Sequence, residues 1–127
     1  MRQERHTAHR EGSPMTGPLI QVNLEAQMLR ICDELEKMTE ELARVSALRA
    51  EAEAEYRHRY ARALVEQQGK VPVATKEAVA QLKATNSFRD WKINEAREKT
   101  TQQALVAFRS RLDALRTISA NVRAQGG

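Results

Sequence analysis

The 127-residue sequence predicts an all-α chain: a long antiparallel helical hairpin with coiled-coil seams that assembles into a homo-oligomer. Three observations carry that expectation. The chain holds only five Gly and three Pro, and it is rich in Ala, Glu, Arg, Leu and Gln, residues that lose little on entering a helix. Its apolar residues recur with a heptad period over long stretches. One glycine–proline break interrupts them near the middle, at Gly69 and Pro72. A β-sandwich or barrel needs a turn signal every 8–12 residues or so, and too few turn formers are present to supply them.

Residues 1–18 are polar and unpatterned, and hold two of the five glycines and two of the three prolines. They bury too little apolar area to offset ordering, so a flexible arm is expected there, with Met15 an alternative start. From residue 19 the pattern changes. Leu24, Met28, Ile31, Leu35, Met38, Leu42 and Val45 follow at alternating spacings of four and three. Asp33 with Lys37, and Glu40 with Arg44, supply favourable i,i+4 pairs on the flanks. Past Val45 the seam is expected to shift to Leu48, Ala52, Tyr56, Tyr60 and Leu64, because Arg49 occupies the next heptad core position.

The first helix is expected over 19–68 and a turn over 69–74. Gly69 suits a left-handed cap and Pro72 cannot continue the helix. Thr75 is the expected N-cap of the second helix, which runs over 75–124 with a break near 85–87, where Ser87-Phe88-Arg89-Asp90 resembles a capping box. Leu105, Phe108, Leu112, Leu115, Ile118 and Val122 form its seam, and residues 125–127 are expected to fray. A first helix of about 70 Å, at 1.5 Å per residue, is too thin to hold a globular core alone. Burial is therefore expected to be completed by self-association through the two seams.

Charge is distributed unevenly. Residues 1–18 carry +1, residues 19–55 carry −5 and residues 56–127 carry +8, for a net +4. Around the turn, Arg57, Arg59, Arg62, Lys70, Lys76, Lys83, Arg89 and Lys92 face only Glu66, Glu77 and Asp90. His58, Arg59 and Arg62 span about 100° of the helix opposite Ala52, Tyr56 and Tyr60, so they point to solvent. An unpartnered basic surface of that kind neutralises phosphates through counterion release, whatever the base sequence. The candidate nucleic-acid contacts are thus Arg57, His58, Arg59, Arg62, Lys70, Lys76, Lys83, Arg89 and Lys92. A solvated charged face is the competing reading. Tyr56, Tyr60, Phe88 and Trp91 are interleaved with these cations and either stack on bases or pack against one another, and their helical spacing favours packing. Arg109, Arg116 and Arg123, spaced by sevens, are expected to pair across the hairpin with acidic residues such as Glu34 and Glu36.

No phosphate-binding glycine loop, cysteine pair or Ser/His/Asp set is present. His6 and His9 have metal-like spacing without further ligands, and the single Cys32 reads as a packing residue and fits a reducing cytoplasm. No run approaches the roughly 18 apolar residues of a membrane span. No enzyme, cofactor, metal or membrane partner is expected.

From Ala54 onward the sequence resembles the UvsY-type recombination mediators of bacteriophages. The resemblance rests on the basic, tyrosine-bearing helix end Tyr56-Arg57-His58-Arg59-Tyr60-Ala61-Arg62 and on Gly69 at the break. It rests also on Phe88 and Trp91 in a long helix, and on the closing Leu112-Asp113-Ala114-Leu115-Arg116-Thr117 run leading to Val122-Arg123. The resemblance implies a ring-like homo-oligomer that binds single-stranded DNA, displaces single-strand-binding protein and loads a RecA-like recombinase. It places the DNA contact at Arg57, Arg59 and Arg62, and the assembly surface along Leu105, Phe108, Leu112, Leu115, Ile118 and Val122. The function expected is therefore a non-enzymatic, cytoplasmic mediator. The alternative is a phage or prophage structural or assembly coiled-coil adaptor, in which the heptads carry the activity.

Overall fold

A computed structural model describes residues 17–126, and these form helices α1 (Gly17–Glu66), α2 (Val73–Lys83) and α3 (Thr85–Gly126), with no strand among the described residues. The expected arm over residues 1–16 and the His6/His9 pair lie outside the described residues. Gly17 and Pro18 belong to α1 rather than to an arm, since proline is tolerated in the first turn, where its missing N–H has no helical partner to lose. At the other end, Gln125 and Gly126 continue α3.

Helix α1 stops at Glu66, and Gly69 adopts φ +89°, the left-handed region that glycine enters without a Cβ penalty. The second helix does not start from Thr75. Pro72 takes the N-cap position, with φ −57° and ψ 146°, and its carbonyl accepts the Lys76 N–H at 3.0 Å. The pyrrolidine ring presets φ at the turn, and no side chain caps the first N–H groups of the helix. The α2–α3 break sits at Ala84, where φ −97° and ψ 11° depart from helical values. Hydrogen bonding nonetheless passes through it, from Ala84 N–H to Ala80 O and from Phe88 N–H to Ala84 O. Thr85 donates its hydroxyl back to the Gln81 carbonyl, a bond that bends helices at such positions.

Two compact units are formed. One joins the α1 residues up to Glu36 with α3 from Ala107. Its interior is Leu24, Ile31, Leu112 and Ser119. Ile118 does not belong to the seam: it is 47 % exposed, whereas Ser119 is 1 % exposed and its hydroxyl accepts a 2.6 Å hydrogen bond from Gln21 Nε2. Residue 119 keeps the four–three spacing through Leu112 and Leu115, and the helix honours period over hydrophobicity. The other unit comprises residues 37–106. Val45, Ala63, Ala80, Ala84, Ser87 and Leu105 are buried there. Four of those six are small, which lets the helix backbones approach closely.

The seam of α1 does not shift cleanly after Val45. Arg49 stays on the packed side with a side chain only 29 % exposed, in the heptad progression from Val45 to Ala52 and Tyr56. Leu24, Ile31, Val45, Leu105 and Leu112 are buried within the chain itself, and Met28, Leu35, Met38, Leu42, Phe108, Leu115 and Val122 are half-buried. The seam proposed for self-association is therefore largely occupied by intrachain packing.

Candidate nucleic-acid interface

The basic end of α1 exposes Arg57, His58, Arg59 and Arg62, since residues at 57–59 and 62 fall outside the packed stripe of Ala52, Tyr56, Tyr60 and Ala63. These arginines are wet but not unpartnered. Arg57 donates to Glu53 at 2.9 and 3.1 Å, Arg59 donates to Glu55, and Arg62 donates to Glu66 at 2.9 Å. Each partner lies four residues away on the same helix, where side chains meet after one turn. The three arginine side chains remain 66, 60 and 70 % exposed, respectively. Exposed pairs of this kind contribute little to stability and exchange readily for another anion. The Arg59 hydrogen bond holds the Glu55 carboxyl below its ordinary range, and the Arg57 hydrogen bond, followed by that of Arg49, does the same for Glu53.

His58, Arg59 and Arg62 share an open groove with Lys83 from the last turn of α2, closed by Ala63, Glu55 and Glu66. Two helices thus bring four of the nine candidate contacts onto one surface: the cations Arg59, Arg62 and Lys83, together with His58. Lys70, Lys76 and Arg89 do not line this groove. Lys70 and Arg89 are exposed, and Lys76 is half-buried, with its backbone carbonyl accepting a hydrogen bond from Gln67 Nε2.

Lys92 pairs with Glu95 at 3.3 Å and lies 4.2 Å from the Trp91 ring centroid. Arg57 reaches the same indole at 5.4 Å. The four aromatics are not a free stacking platform. Tyr56 stacks on Trp91 at 5.4 Å and meets Phe88 edge-on at 5.2 Å and Tyr60 at 5.9 Å, while its hydroxyl donates to Gln81 Oε1. The rings spend their faces on one another and on two cations, which is the packing their spacing favours. The Trp91 N–H is buried in this cluster without an acceptor among the described residues.

A polar layer went unrecognised in the sequence. Arg49 bridges Glu53 on its own helix at 3.0 Å and Glu98 of α3 at 3.2 Å. A hydrogen bond from Ser46, reinforced by Arg49, holds the Glu98 carboxyl below its ordinary value. The available signal was positional. Glu98 stands on a four–three progression through Trp91, Asn94, Glu98, Thr101 and Leu105, opposite in charge to the one arginine on the α1 progression.

No group of three or more potential metal ligands occurs among the described residues, and no described helix is long and apolar enough to cross a membrane. No family model, curated protein or solved structure matches the chain.

Proposed function

We propose that the chain is a non-enzymatic single-stranded DNA-binding recombination mediator that helps load a RecA-like recombinase, and that the His58–Arg59–Arg62–Lys83 groove is its DNA contact. The convergence of Arg59, Arg62 and Lys83, together with His58, from two helices carries the reading. The guanidinium groups are solvated, and their carboxylate partners on the same helix are displaceable by phosphate. Affinity comes from the backbone charge of the strand, with no base readout. The aromatic cluster stiffens the site and leaves stacking to a minor role. The reading takes the helices as the arms of an antiparallel hairpin that assembles into a homo-oligomer. Within residues 37–106, cross-helix hydrogen bonds whose sequence separations shrink from 49 through 25 to 9 support such a path about the Gly69 turn.

Titration of a labelled oligothymidylate followed by anisotropy tests it. Binding at low salt should weaken with a log–log slope of about −0.7 per phosphate neutralised. The R59Q/R62Q/K83Q variant should bind more weakly with a shallower slope and unchanged far-ultraviolet circular dichroism. An anisotropy that stays flat at low salt removes the reading.

A second reading, a phage or prophage assembly adaptor, is favoured by the exposed Leu19, Val22 and Leu29 on α1, which offer apolar contact at helical spacing. A chain that ignores oligonucleotides but co-sediments with one protein partner belongs to this class.

A further inference from the structure

Helix α3 presents Arg109, Arg116 and Arg123 at intervals of seven residues, all exposed and all within one compact unit. A straight helix drifts by about 20° per heptad, so the three stay within about 40° of one another on a single face. At 1.5 Å per residue they span about 21 Å. Coiled-coil logic assigns such residues to cross-helix pairs with acidic neighbours, and Glu34 and Glu36 are the acidic side chains within this unit that the spacing nominates. No carboxylate among the described residues pairs with Arg109 or Arg123. Among the described residues, Arg116 meets Asp113, three residues away at 3.5 Å, with both side chains more than half exposed. Arg111 is distinct: its guanidinium rests on the Phe108 ring at 5.4 Å, beside Arg30 and Glu34.

Exposed guanidinium groups in a row, two of them without a carboxylate partner among the described residues and the third in a solvated local pair, are matched by a ligand whose negative charges also come in a row. We infer that Arg109, Arg116 and Arg123 form a second polyanion track that binds the phosphate backbone of single-stranded DNA, separate in residues from the α1–α2 groove. At a rise of about 3.4 Å per nucleotide in a stacked strand, the track covers about six phosphates and touches every third. Guanidinium suits this task because its planar donors engage phosphate bidentately. The inference rests on the single-strand-binding reading above, which it extends to a second set of residues.

The test compares the full chain with R109Q/R116Q/R123Q and with R59Q/R62Q/K83Q, using labelled oligothymidylate at several salt concentrations and sedimentation mass without DNA. The track variant should keep its helicity and mass and lose about 2 from the magnitude of the salt slope. Over a fourfold rise in salt, the weakening of its binding should then be about 20-fold smaller than that of the unsubstituted chain. An unchanged slope in the track variant, with a reduced slope in the groove variant, overturns the track and keeps the groove. The opposite pattern keeps the track and removes the groove. A track variant whose mass falls while its slope holds assigns the arginines to contacts between copies and overturns the inference, and a full chain that binds no oligonucleotide ends both.

Discussion

Glu98 shows how one residue ties charge to packing. Its carboxylate is only 18 % exposed and is held by Ser46 and then by Arg49 below its ordinary pKa of 4.5. A depressed folded value means the ionised form is favoured in the native state. The resulting stability is present above pH 4.5 and drains away as pH falls through the depressed value. The thermal midpoint is therefore expected to drop as pH falls below 4.5 and through the depressed value. Glu98→Gln should have a lower midpoint at pH 7 and a flatter acid limb, because its side chain no longer titrates. Parallel pH profiles for the two proteins contradict that role. Half of this arrangement was legible in the sequence. Arg49 visibly interrupts the apolar progression, but which α3 side chain meets it depends on the register of two helices, set by side chains far away in sequence.

Helix ends obey local chemistry closely enough to be tested one residue at a time. Gly69 holds φ +89° with open space around a would-be Cβ, so Gly69→Ala meets no clash and strains only the backbone. That strain should cost about 1 kcal/mol, read as a lower urea midpoint with an unchanged m-value. No loss of stability implies that the loop relaxes into another turn. The start of α2 was misjudged from Thr75 because hydroxyl caps are the commoner device, yet Pro72 supplies the geometry through its ring. The α2–α3 break falls at Ala84, ahead of the capping-box-like Ser87. Ser87 is itself buried, and a buried position in a tight helix contact favours its small size over its capping ability.

Taken as a whole, the molecule has thin cores. Leu105 is the largest of the buried apolar side chains in the unit of residues 37–106, where alanines make up much of the rest. Leu105→Ala should cost about 2–5 kcal/mol, a large share of the roughly 5–15 kcal/mol available to an ordinary domain. Chemical denaturation measures it, and a loss under about 1 kcal/mol shows that Leu105 is not the keystone of that interior. Thin cores leave most charged residues on the surface of a chain whose net charge is +4. The exposed arginines of α1 spend part of that charge on carboxylates one turn away, whereas Arg109 and Arg123 of α3 meet no carboxylate among the described residues.

Helix content, the heptad period and the Gly69–Pro72 interruption follow from the sequence alone, because each depends on backbone propensity and on spacings within a few turns. The fate of individual polar and aromatic side chains was decided by the tertiary structure. Tyr56, Phe88 and Trp91 have their ring faces occupied, Ser119 displaces Ile118 from the interior, and Arg49 finds Glu98. A one-dimensional period specifies which residues share a face. Which partner that face meets, and which charges are left over for a ligand, is settled only when two helices bring distant segments within a few ångströms.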